Sequence, residues 1–448
     1  MKLTDLQAIA RNNIRRFLVF RVLFNARFYY PVFAVIFLDF GLTLDQFAML
    51  NVIWATTIIL AEVPSGALSD LLGRKKLLVL TATLMVAEMS VWAFAPRGNP
   101  TLLFWVLALN RVLSGLGEAS ASGSDEALVY ESLEEAGMKD QWSHVLEKAA
   151  KWQSVAFMVA MITGGLVYDP DLLGRIASLF GFQGSINKEA TLRLPLYLTL
   201  LSSIVCWLNC IRFVEVDDGH ESKQLSIGAA FRQTFEAGLW ILKTPFALIV
   251  ILAGAFLDSI IRMFVTLNSE YYRLIEYPEY ALGILGALIA LMNFVIAPLA
   301  RRLVERKTPG FVFGAAALAG LIGFAGVSFF IPYAGLLFSG LLFAAFTIVT
   351  FSLSYYLNRI SDKSMRATIL SFKGMALNLG YGFIGVVYAQ LLRYLARSPD
   401  MPTGSNELFI EGAQYFTPYF LIGSLAVVLF VRIVFPRATQ LSPQKVDE

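Results

Sequence analysis

Twelve apolar runs, each long enough to cross a bilayer as a helix, divide this chain and limit what it can fold into. They lie at 17–38, 44–66, 77–95, 101–123, 146–167, 194–213, 245–267, 281–300, 311–330, 334–356, 368–391 and 415–435. A helix rises about 1.5 Å per residue, so about 20 apolar residues span the hydrocarbon core. Inside lipid every backbone N–H and C=O must be paired within the protein, which leaves helices as the reading for runs of this length. Composition agrees: 57% of the 448 residues are hydrophobic and 15% are charged, against about 25% charged in soluble domains. The expected fold is an all-α membrane protein of about twelve transmembrane helices. An even number of spans puts both termini on one face.

Lysine and arginine placement gives the orientation. Lys2, Arg11, Arg15, Arg16, Arg74, Lys75, Lys76, Arg301, Arg302, Arg306, Lys307, Arg359, Lys363 and Arg366 fall on the face that carries the termini. Arg97, Arg175, Lys188, Arg193, Arg273, Arg393 and Arg397 fall on the other. Both termini are therefore expected in the cytoplasm, with the protein in a plasma membrane or bacterial inner membrane. No cleavable leader is expected, because the residues through Arg16 are polar and basic and the run that follows is full length. A net charge of +3 leaves no electrostatic footprint for nucleic acid. Cys206 and Cys210 sit four apart in one apolar run and read as core packing rather than a disulfide or metal site. No metal or cofactor is expected.

The longest cytoplasmic connection, 215–244, divides the chain into a six-span bundle at 1–214 and a second at 245–448. Its polar first part is followed by apolar residues at helical spacing over 227–242, which suit an amphipathic helix on the membrane surface. Two bundles of six imply structural repeats. On the opposite face, 172–182 reads as a short interfacial amphipathic piece and 398–412 as a polar, mobile loop.

Between the second and third spans stands Gly66-Ala67-Leu68-Ser69-Asp70-Leu71-Leu72-Gly73-Arg74-Lys75-Lys76. Gly66 allows a close helix approach and Gly73 a turn with positive φ. Asp70 suits a helix N-terminus or a pair with Arg74. A degraded copy, Ala297 to Lys307, follows the eighth span, with Arg301 at the acidic position and neither glycine. The motif resembles the loop between helices two and three of the major facilitator superfamily of secondary transporters. Asn110-Arg111-Val112-Leu113-Ser114-Gly115-Leu116-Gly117-Glu118 in the fourth span resembles a second motif of that superfamily, Arg-x-x-x-Gly-x-Gly, found in many proton-coupled members. The resemblance implies two six-helix lobes around a central cavity. It also implies an inner gate in which an acid at the inner end of the fourth helix, Asp125 or alternatively Glu126, pairs with Arg74 near Gly66, Asp70 and Gly73. The fifth span departs from the pattern of proton-antiporting drug exporters: Gly164-Gly165 are present but the proline is not.

A charge within a span costs at least about 2.5–3.5 kcal/mol at a helix centre and so faces a cavity or a partner. Candidates for a substrate or proton pathway are Arg27 with neighbouring Asn25 and Tyr30, Arg111 and Glu118, Asp258 and Arg262 four apart on one helix face, Asn293, Lys373 and Asn378. Arg111 also reads as a purely structural arginine, and Asp258 with Arg262 as a self-neutralising pair. The excess of cations favours an anionic group on the substrate. His144 and His220 fall in loops, which excludes a buried histidine relay. No phosphate-binding glycine loop and no clustered nucleophile is present, so neither an ATP-driven pump nor an enzyme is expected. The reading is a monomeric transporter that moves a small organic, anionic solute by alternating access, with a coupled proton left open. A non-transporting sensor or scaffold, or a lipid-moving member of the same superfamily, stands as the alternative.

Overall fold

The computed structural model describes residues 3–121, 124–181, 184–215, 227–360, 366–398 and 405–434, apart from the side chains of 66–67, 69–72, 227, 229–230, 233–234, 237, 366–368 and 405. The helices are α1 (Leu3–Asn25), α2 (Phe33–Phe40), α3 (Leu44–Leu72), α4 (Arg74–Ala93), α5 (Pro100–Ala121), α6 (Ser124–Glu135), α7 (Trp142–Tyr168), α8 (Pro170–Leu179), α9 (Lys188–Thr191) and α10 (Leu194–Cys210). They continue with α11 (Ile227–Lys243), α12 (Pro245–Leu274), α13 (Glu279–Arg306), α14 (Pro309–Val327), α15 (Gly335–Ile360), α16 (Arg366–Leu395), α17 (Ser405–Gln414) and α18 (Phe416–Val434). Among the described residues, twelve helical stretches are long and apolar enough to cross a membrane. The six before α11 pack mainly among themselves, as do the six after it, and the two groups meet along α3 against α16 and α7 against α13.

Two stretches differ from the sequence reading. The first span is not one helix: α1 ends at Asn25, a turn and a 3₁₀ segment at Tyr30–Val32 follow, and α2 completes the crossing. Pro31 cannot donate a helical hydrogen bond, and the Phe28 N–H is satisfied by Thr199 Oγ1 on α10 at 3.0 Å instead. In the 398–412 stretch, 405–412 belong to α17 rather than to a loop.

Two glycines allow close contacts with neighbouring backbone. Gly164 lies against the Phe28 carbonyl in the helix break, where a β-carbon would overlap it. At Gly165 a β-carbon would stand 2.7 Å from the Gly283 nitrogen on α13, so only glycine lets these two helices touch here. Gly73 has φ of 92° and opens α4.

The face that carries the chain ends is the near face, and the other is the far face. On the far face the two halves are held by ion pairs. Arg273, at the end of α12, grips Asp39 of α2 through both oxygens, at 2.9 and 2.8 Å, and Glu279 at 3.0 Å. Lys188 bonds Glu279 and stands 3.6 Å from Asp39. Tyr168 donates to Asp39 at 2.7 Å, and Arg393 pairs with Asp45 at 2.9 Å. Ser269 Oγ accepts the Ala34 and Val35 N–H groups at 3.0 and 3.3 Å. The far face is therefore closed.

Candidate functional site: a two-chambered cavity between the halves

The break between α1 and α2 puts Arg27 on non-helical backbone in mid-membrane, a conformation tolerated there only where it is buried in protein or lines a cavity. Its Nε donates to the Phe24 carbonyl at 3.1 Å, freed because the helix does not continue, and its Nη1 lies 3.3 Å from Glu88 Oε2. Arg111 Nη2 lies 3.9 Å from the other oxygen of Glu88. Asn110 ties the set together: its Oδ1 accepts from Arg111 Nε and Nη2 at 3.0 and 2.8 Å, and its Nδ2 donates to the Glu88 carbonyl at 2.8 Å. The Arg111 guanidinium stands 5.3–5.5 Å from the ring centroids of Phe33, Phe37 and Trp92, a placement that favours a desolvated cation. Glu88 is 1% exposed, Arg27 5% and Arg111 3%. One buried carboxylate thus serves two buried guanidinium groups.

Arg27 and Arg111 line a chamber of about 200 Å³ together with Tyr30, Trp54, Glu118 and, from the second half, Arg262, Thr266 and Tyr381. Arg262 reaches it from α12, held by Asp258 at 2.5 Å and Asn378 at 3.0 Å. Asp258, like Glu88, is 1% exposed, behind the wall. The chamber wall therefore presents three guanidinium groups and one carboxylate, Glu118, whose side chain is open.

Trp54 and Glu118 also line a second chamber of about 470 Å³, with Arg21, Asn25, Glu62, Asp125, Glu126 and Asn378. Its sign is reversed: four carboxylates against Arg21. It reaches solvent on the near face, where the Glu126 side chain is 44% exposed. The cavity is open to the near face and sealed on the far face.

The structure brings Arg27, Asn25, Tyr30, Arg111, Glu118, Arg262 and Asn378 to this cavity, with Asp258 behind it. Lys373 donates to Ser354 at 3.1 Å, and the neighbouring Gly374 leaves room for Glu62, whose Oε1 would be 3.3 Å from a β-carbon there. Asn293 lies apart, exposed on α13, accepting from Thr347 Oγ1 at 2.8 Å. The expected pairing of Asp125 with Arg74 is not made. Arg21 holds Asp125 at 2.6 Å and also bonds Glu126, while Arg74 lies 3.4 Å from Glu131. The side chains of Gly66 and Asp70 lie outside the described residues. Glu88, Glu62, Asp39 and Asn110 were not among the sequence candidates. The rule used for the arginines, that a charge in an apolar run needs a reason, applies equally to Glu88 in Met85-Val86-Ala87-Glu88-Met89.

The model of the Major Facilitator Superfamily matches residues 17–386. The chain belongs to that superfamily. No curated protein sequence matches it. Among solved structures, this superfamily member is similar to the nucleoside transporter NupG, at 13% identity and a TM-score of 0.70, over 96% of this chain and 100% of that one. It is similar to a bacterial homologue of the human lysosomal transporter Spinster in an inward-facing, occupied conformation, at 16% identity and a TM-score of 0.65, over 98% of each. A third, the D-xylose–proton symporter, aligns at 14% identity and a TM-score of 0.60, over 95% and 97%. At these identities the likeness shows the major facilitator fold.

Proposed function

We propose that this superfamily member is a secondary transporter that moves a small organic solute carrying a negative group by alternating access, rather than an enzyme. The observation that carries the reading is the converging set of Arg27, Arg111 and Arg262, drawn from both halves onto one small chamber with a single open carboxylate. A solute held by all three bridges the halves, so it favours the conformation in which they converge. The acidic near-face chamber suits a cationic part of the solute near Glu118 and Glu62. The superfamily supports transport as the class of activity, and the similar structures include a nucleoside transporter and a D-xylose–proton symporter. Screening organic anions, cations and neutral solutes for thermal stabilisation of the purified protein tests the reading, since a ligand of the folded state raises its apparent stability. Stabilisation confined to cations would overturn it.

Glu118 is the group we assign to proton coupling, because it is the carboxylate shared by both chambers and open to water. Glu118→Gln is expected to leave folding unchanged and to abolish accumulation driven by a pH gradient in proteoliposomes, while solute exchange persists. Retained gradient-driven accumulation would remove the proton from the mechanism.

The lysine and arginine distribution supports a cytoplasmic near face, with Gly66, Asp70, Gly73 and Arg74 as the gate there. On a background lacking Cys206 and Cys210, Lys75→Cys is expected to resist an impermeant thiol reagent in whole cells and to react after permeabilisation. Labelling from outside reverses the orientation.

A further inference from the structure

A groove of about 510 Å³ lies on the outside of the second half, between α12, α14 and α18, away from the transport cavity. Its walls are apolar (Phe246, Phe256, Phe313 and Val428 among them), and Arg432 is the one charged residue lining it among the described residues. α14 and α12 begin on the near face and α18 ends there, so the groove starts at the membrane interface. From Arg432 to Ser424 it runs inward two helical turns, about 12 Å. Gly310 and Gly314 carve its floor: a β-carbon at either would meet nothing within 4 Å. Along α18 only Phe416 and Phe420 are buried, so this side of the molecule faces lipid.

Charge at the mouth identifies the occupant. Lys307 precedes α14 and stands 5.4 Å from the Phe311 ring that lines the groove, and Arg432 lines it from α18. Both are exposed. An apolar slot of acyl-chain depth beneath two cations fits a lipid with an anionic headgroup. We infer that this groove is a binding site for one anionic phospholipid, its phosphate at Arg432 and Lys307 and one acyl chain along Gly314. Bound there, it fastens α14 and α18 to α12.

Native mass spectrometry of the full-length protein, with dioleoylphosphatidylglycerol or dioleoylphosphatidylcholine added to neutral detergent, tests this. One molecule of the anionic lipid is expected to be retained in preference to the zwitterionic one, and inorganic phosphate is expected not to compete. Arg432→Gln, an exposed change that spares the fold, should weaken retention roughly fivefold, the effect of one basic residue at an anionic surface. Gly314→Leu, which fills the floor, should remove it. Equal retention of both lipids, or unchanged selectivity in Arg432→Gln, overturns the assignment. So does a preference that appears only after deletion of residues 435–448, which would give the groove to the chain's own end.

Discussion

Glu88→Gln is expected to destabilise the protein by about 3–5 kcal/mol, the range found when one partner of a buried ion pair is removed. The carboxylate answers two guanidinium groups at 3.3 and 3.9 Å, and all three residues are buried. An amide carries no charge to offset either arginine, and two like charges are left in a desolvated space. Thermal unfolding in detergent measures the loss. Function is separated from structure by replacing the set together as Arg27→Met, Glu88→Leu and Arg111→Met. Apolar residues of similar size often replace a buried ionic triad at no cost in stability, so stability should return. Transport should not, if the arginines bind the solute. Recovery of both would reduce the set to a packing device. The same burial means that Arg27 cannot be replaced alone as a clean probe of binding, because the Arg27→Gln variant leaves Glu88 with only the longer contact to Arg111.

The second large effect belongs to the far face. Asp39→Asn should open it. Asp39 accepts both nitrogens of Arg273 across the halves, and Tyr168 besides. Its side chain is 19% exposed and that of Arg273 28%, so the buried-pair figure is discounted for screening to about 2–3 kcal/mol. At tenfold per 1.4 kcal/mol, that moves the ratio of far-closed to far-open states roughly 30- to 150-fold. The direction follows from which contacts are lost on opening. Arg273 keeps Glu270 on its own helix and Glu279 beside it, and Asp39 keeps Tyr168, so the closed state alone depends on the pair. Spin labels at positions 99 and 333, both in far-face connections, report the distance. It should lengthen in Asp39→Asn, and the exchange Asp39→Arg with Arg273→Asp should recover more of the closed state than the single changes predict. An unchanged distance distribution would show that the cluster does not hold the gate.

The fold class was legible in the chain because hydrocarbon thickness is a length that one helix must meet by itself. Each apolar run therefore carries its own evidence, and twelve spans could be located without knowing what any of them touches. The near-face glycine motif was legible for the same reason, since Gly73 answers a local demand for positive φ. Arg27, Arg111, Arg262 and Glu118 could be singled out as charges in the wrong solvent. Apart from Asp258, four residues before Arg262, their partners could not. Glu88 lies 61 residues from Arg27, Asp39 lies 234 from Arg273 and Arg21 lies 105 from Glu126. Nothing local distinguishes these pairings from Asp125 with Arg74. The deciding event for Arg27 was a helix break before Pro31, where the Phe28 N–H is met by Thr199 on another helix. Sequence alone determined which groups had to be kept from lipid. Tertiary structure decided which of them face one another, because a charge in the membrane must find a partner but the partner's place in the chain is free.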